Sequence, residues 1–263
     1  MSGAGSEFDK LAVDYDRHRP SYPHQLMGAL REHLEAGNHA GRGVVVDAGA
    51  GTGIATRLLR HSLDERFQVI GLEPGESMRR QATESTEPGL NITYIQATAE
   101  NMPFSDGALS GVIVAQAVQW FDRPAFYREA NRVLLPGGTL AILQNNRDWR
   151  ASPFLDAYEA FLEQNSPAYD RNYRAFDIHT ELRAVDGLAV DPPVFIGWER
   201  PMTVEGFIGM TRSSSRLQQV VRQLGEDKTV TVVRDLVRSF ADTDDIISVR
   251  YQSEVYLARR TIR

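Results

Sequence analysis

The chain of 263 residues predicts an α/β fold: a doubly wound sheet of about seven strands, mostly parallel with an antiparallel edge strand, plus a helical cap. Three observations predict it. Short β-branched runs alternate with helix-like runs from about residue 43 to residue 145. Several of those strands end in an acid or a glycine-rich turn, at the carboxyl ends where such sheets bind ligands. Late in the chain, two more strand-like runs near 194–198 and 246–257 flank helices, as an edge pair would.

The elements follow in order. Val44-Val45-Val46-Asp47 reads as a buried parallel strand, and Ala48-Gly49-Ala50-Gly51-Thr52-Gly53 as a tight turn into a helix over 54–62. Glycines let such a turn approach a ligand closely, because no Cβ intervenes. Phe67–Leu72 reads as a second strand ending at Glu73, and Ile92–Gln96 as a third. A fourth strand at Gly111–Ala115 leads into Gln116–Asp122, followed by a helix from Pro124 to Leu134 with proline in its first turn. Pro136-Gly137-Gly138 stops that helix, and Thr139–Leu143 reads as the fifth strand.

The acid before the glycine turn separates two classes of nucleotide cofactor. A dinucleotide site wants Gly-x-Gly-x-x-Gly, yet counting from Gly49 the third glycine falls on Ile54. Asp47 would also face an anionic pyrophosphate. S-adenosylmethionine carries no phosphate, and its ammonium suits Asp47, with Ala48, Gly49 and Gly51 in the turn. Glu73, at the tip of the adjacent strand, can accept both ribose hydroxyls. Pro74 and Met78 are apolar residues suited to one face of adenine.

Beyond the fifth strand the composition turns aromatic. Phe154, Tyr158, Phe161 and Leu162 share a helical face opened by Ser152 and Pro153, a stripe expected to pack inward. Asp191-Pro192-Pro193 breaks the chain before the sixth strand at Val194–Trp198. Helices are expected near 203–224 and 228–240, and a final strand near Ile246–Leu257 joins the sixth. The division expected is a lid segment with the first helix at 1–40, a cofactor-binding core at 41–145, a substrate-cap insertion at 146–192, and strands and helices completing the sheet and acceptor pocket at 193–263.

Composition narrows the function classes. The hydrophobic fraction of 42% and charged fraction of 24% are those of an ordinary globular protein. A net charge of −6 without a basic run argues against nucleic acid as partner. No stretch is long enough for a membrane span, and the N-terminus lacks a signal-peptide layout, so a cytoplasmic location is expected. With no cysteine, disulfides and thiolate metal sites are excluded, and no metal is expected. The oligomeric state is left open.

The chain resembles the class I S-adenosylmethionine-dependent methyltransferases, with their Rossmann-like sheet, and within them the small-molecule branch of trans-aconitate methyltransferase-like and ubiquinone-type enzymes. The resemblance rests on Phe8-Asp9 through Tyr15-Asp16, Arg19-Pro20-Ser21-Tyr22-Pro23, Val46–Gly53, Gly71-Leu72-Glu73-Pro74 and Thr98–Phe104. It continues in Ala115-Gln116-Ala117, Trp120-Phe121-Asp122 and Arg132–Gly138, and thins afterwards. It implies that Thr98 and Ala99 surround adenine and that Gln116 and Ala117 line the floor near the sulfonium. Tyr15, Arg19 and Tyr22 would come from a segment folding over the cofactor, with Arg19 on the methionine carboxylate. Trp120 would face the acceptor.

Two departures matter. Gln119 stands where that branch commonly has histidine, and Thr98 where distant relatives carry an aspartate. Transfer from a sulfonium is an in-line displacement in which orientation alone contributes roughly 7–11 kcal/mol, so Gln119 is assigned to positioning. A base is needed only where the nucleophile must lose a proton; His18, His24 and His179 are candidates, and Tyr22 lies beside them. Arg212, next to a serine run, could hold an anionic acceptor. The expected reaction is methyl transfer to a small organic acceptor, a carboxylate, phenol or electron-rich aromatic carbon or nitrogen, with S-adenosylhomocysteine as product. The alternatives are a nicotinamide-dependent oxidoreductase and a non-catalytic binder of the same donor.

Overall fold

A computed structural model describes residues 22–37, 43–167, 169–212 and 214–261. Eight strands are found among them: β1 (Gly43–Ala48), β2 (Phe67–Leu72), β3 (Ile92–Ile95), β4 (Leu109–Ala115), β5 (Leu134–Arg147), β6 (Leu188–Val190), β7 (Val194–Thr203) and β8 (Ile246–Arg260). Their order is β3-β2-β1-β4-β5-β8-β6, with β7 also paired to β8. β1 to β5 run parallel, with Asp47 level with Gly71 and Ile113, and Ala115 level with Leu143. β6 is antiparallel to β8. The doubly wound sheet with an antiparallel edge is therefore present.

The helices are α1 (His24–Glu35), α2 (Ile54–Ser62), α3 (Glu76–Glu84), α4 (Arg123–Val133), α5 (Pro153–Asn165), α6 (Ile178–Arg183), α7 (Val204–Arg212), α8 (Ser215–Leu224) and α9 (Glu226–Arg238). Local chemistry sets several starts. Asp122 accepts from the Ala125 amide at 3.1 Å to cap α4, with Pro124 in the first turn. Ser152 does the same for α5 through Leu155.

Two compact units divide the chain. The larger comprises Tyr22–Asn145, Phe176–Ile196 and Ser253–Arg263. Its strands alternate between two apolar layers. Val46, Val112, Leu140 and Ile142 pack with Phe126 of α4 and Leu182 of α6; Val45, Ile113, Ala141 and Leu143 pack with Leu30 of α1 and Leu59 of α2. Both faces are covered, as the near-continuous apolar runs require.

The smaller unit includes Asn146–Ala175 and Gly197–Gln252. Phe154 and Tyr158 of α5 meet Phe207 of α7 edge-on, at ring separations of 4.9 and 5.1 Å. The aromatic stripe is thus a packing face. Beneath it Glu159, 3% exposed, pairs with Arg147 at 2.8 Å and accepts from the Tyr169 hydroxyl.

Sequence and structure differ in three places. β5 begins at Leu134 rather than Thr139, because Pro136-Gly137-Gly138 lies in an irregular stretch where the β4 register shifts. Ser214 caps α8 through the Leu217 amide at 3.2 Å, so the helix expected over 203–224 is two. The three-residue β6 carries too little pattern to be seen in sequence.

Candidate cofactor site

The site is built at the carboxyl ends of β1, β2 and β4. Asp47 ends β1's run of valines and is fully buried. Thr56, on the first turn of α2, donates to its Oδ2 at 2.6 Å. Oδ1 has no hydrogen-bond partner among the described residues. Burial pushes the Asp47 carboxyl up to about 6, against the Thr56 hydrogen bond and with a smaller push from the Glu73 charge. A buried carboxyl with one open oxygen is ready for a cationic donor.

The turn supplies the space. Gly49 has φ 76°, and a Cβ there would lie 2.7 Å from the Ala117 Cβ and 3.1 Å from the Phe121 ring. Only glycine allows the loop after β4 to close on the turn. Gly51 has φ 58°, and a Cβ built on it would meet nothing within 4 Å. The turn is therefore closed below and open above.

Glu73, half-buried at the end of β2, accepts from the Gly51 amide at 2.9 Å with Oε2 and from the Gly75 amide at 2.8 Å with Oε1. A carboxylate offers about four lone-pair sites, so both oxygens keep capacity for diol hydroxyls. Pro74 and Met78 are exposed beside it, Met78 by 46%. Thr98 is exposed and Ala99 buried in the loop after β3. Two ties hold that loop: Glu100 accepts from the Asp122 amide at 3.0 Å, and the Thr98 carbonyl accepts from Asn101. Arg132 adds a clamp behind it, bonded to both Glu129 oxygens, to Asp106 and to the Phe104 carbonyl.

The floor is formed after β4. Gln116 has φ 59°, in the left-handed region, and its amide donates to the Leu143 carbonyl at 3.0 Å. Gln119 Nε2 donates to the Gln116 carbonyl at 2.8 Å, which fixes the amide. Ala117 is buried against Gly49, and Trp120 is 67% exposed. Tyr22 reaches the same end of the larger unit, lining an apolar depression with Met27, Ala55, Leu58, Ala115 and Leu143.

Asp47, Ala48, Gly49, Gly51, Glu73, Pro74, Thr98, Ala99, Gln116, Ala117 and Gln119 thus lie on strand ends and the segments they lead into, and Met78 lies in the first turn of α3 just after Pro74. His24 is exposed at the start of α1, and His179 lies in α6. Arg212 lies in the smaller unit with its guanidinium taken up by Glu226. Tyr15, His18 and Arg19 lie outside the described residues. Sequence reasoning missed Thr56; a hydroxyl on the first turn of the helix after the glycine loop was the available signal.

Among the described residues, no group of acids and histidines could hold a metal ion, and no helix is long and apolar enough to cross a membrane. Comparison with known proteins agrees with the geometry. A family model described as a methyltransferase domain matches residues 46–142. A Dictyostelium discoideum protein named as a methyltransferase is 25% identical over 97% of this chain and 95% of its own length. An uncharacterized methyltransferase of Mycobacterium tuberculosis is 34% identical, and the match spans 62% of each chain. A solved structure titled as a type II methyltransferase, from Anaeromyxobacter dehalogenans, superposes with a TM-score of 0.64 at 25% identity, covering 92% of this chain and 97% of that one. With the strand-tip acids, the glycine turn and these likenesses in agreement, the chain carries a methyltransferase domain over residues 46–142 and is similar to methyltransferases over nearly its whole length.

Proposed function

We propose that this chain methylates a small organic acceptor, and that its residues act mainly by holding the two reactants in line. The observation that carries the reading is the open Oδ1 of buried Asp47, in the strand that leads into the glycine turn whose Gly51 has open space beside it. When bound, S-adenosylmethionine supplies a methyl group already activated by the sulfonium charge. Asp47 pairs with the ammonium, Glu73 accepts the ribose hydroxyls, and Pro74, Met78, Thr98 and Ala99 border the adenine. Gln116 and Ala117 form the floor under the reacting methyl. Gln119, braced on the Gln116 carbonyl, orients the acceptor through its amide rather than removing a proton. Exposed Trp120 offers an aromatic face to the acceptor. Tyr15 and Arg19 remain proposed cofactor contacts, and Tyr22, His18 and His24 proposed groups around the acceptor.

The test combines binding with turnover. S-adenosylhomocysteine should raise the melting temperature and NADH should not. With methyl-labelled donor, a panel of phenols, alcohols, amines and carboxylic acids should yield at least one labelled product. Stabilisation by NADH instead of S-adenosylhomocysteine would overturn the reading.

A further inference from the structure

Thr56 differs from three other helical threonines. Thr83, Thr211 and Thr229 each turn the hydroxyl back to the carbonyl four residues earlier, at 3.0, 3.0 and 2.7 Å, the usual local partner of a hydroxyl inside a helix. Thr56 does not. Four residues before it, the Thr52 carbonyl accepts from the Arg57 guanidinium at 2.9 Å. The Thr56 hydroxyl crosses instead from α2 to β1, where it donates to Asp47 Oδ2.

Both side chains are fully buried. At 2.6 Å the contact has the length of a hydroxyl donating to an ionised carboxylate. Its one proton is spent on Oδ2, which leaves Oδ1 bare. On the neighbouring strands Asp47 is level with Gly71 and Ile113, neither of which titrates. Among the described residues, Glu73 at the end of β2 and Thr56 on α2 therefore bias its charge. Burial and the Glu73 carboxylate favour the protonated acid, and the Thr56 hydroxyl opposes them.

We propose that Thr56 is a positioning residue for the methyl donor: its hydroxyl keeps the Asp47 carboxylate charged and leaves Oδ1 for the ammonium. The inference rests on the methyltransferase reading above. A carboxyl that takes up a proton no longer attracts a cation, so apparent affinity falls with the fraction left ionised. Loss of the hydroxyl therefore weakens binding where the acid is partly protonated, and costs little once high pH ionises it in any case. A defect of packing or turn geometry weakens binding by one factor at every pH.

The test titrates the full chain with S-adenosylhomocysteine by calorimetry across a pH series. At about pH 5.5, Thr56→Val should bind about tenfold more weakly than the parent, and the ratio should approach one by about pH 8.5. The ligand's own titration is common to both proteins and cancels in the ratio. Thr56→Ser, which keeps the hydroxyl, should follow the parent; Thr56→Ala, which lacks it, should follow Thr56→Val and replaces it if that variant does not fold. In the ligand-free proteins, carboxyl-carbon NMR of labelled aspartate, with Asp47 assigned through Asp47→Asn, should show Asp47 titrating at higher pH without the hydroxyl. A ratio constant across the series, an unmoved Asp47 titration, or a serine variant that behaves like valine would overturn the inference. A parent that binds no S-adenosylhomocysteine at any pH would overturn the methyl-donor reading instead, and the ligand-free titration would still decide whether Thr56 holds Asp47 charged.

Discussion

Replacing Asp47 by asparagine tests the electrostatics of the site, because the expected effects on stability and on binding have opposite signs. The Asp47 carboxyl rises from an ordinary 3.8 to about 6, chiefly through burial. The folded state therefore holds its proton more tightly than the unfolded chain. The resulting contribution is fully present below the unfolded value and lost as pH rises through about 6. Between about pH 5 and about pH 8 the loss amounts to roughly 1.4 kcal/mol. Asp47→Asn lacks this dependence. Urea titrations of variant and parent without ligand should therefore give a stability difference that moves in the variant's favour by about that amount over the interval. Binding runs the other way. In the pairing proposed above, only the ionised carboxylate holds the ammonium, so the parent's affinity for S-adenosylhomocysteine should rise about tenfold over the same interval. The variant should bind weakly, with no such rise. Parallel pH slopes for variant and parent, in stability and in calorimetric affinity, would refute the reasoning.

Three further outcomes follow from the geometry. Glu73→Ala removes the acceptor of the Gly51 and Gly75 amides, which is also the acceptor proposed for both ribose hydroxyls; calorimetry should show affinity for S-adenosylhomocysteine lower by about 10–100-fold. Gly49→Val sets a side chain against Ala117 and Phe121 at a positive φ, and denaturation should show a loss of about 1–3 kcal/mol. In the smaller unit, Glu159→Ala leaves Arg147 and the Tyr169 hydroxyl without their buried partner; the midpoint in urea should fall by the equivalent of about 3–5 kcal/mol.

Much of the sheet was legible because its signals are local. Val44–Val46 before a glycine turn, Pro124 after a capping aspartate, and Ser152-Pro153 each declare a strand or helix end within a few residues. Asp47 and Glu73 were legible as acids at strand tips for the same reason. Contacts distant in sequence were not. The compact units interleave segments from separate parts of the chain, and no composition shift marks where α6 and β6 return to the larger one. The extra length of β5 was hidden by a proline and two glycines that sit in an irregular register rather than a loop. Arg212 looked available because the run around it is polar, yet its partner Glu226 lies 14 residues on.

The central claim is that two strand-tip carboxylates and a bare glycine turn hold a cationic, phosphate-free methyl donor. Its most direct test is calorimetric titration of the Asp47→Ala, Glu73→Ala double variant with S-adenosylhomocysteine, its fold verified by circular dichroism. The account predicts affinity reduced by more than about 100-fold; a folded double variant with parental affinity would contradict it.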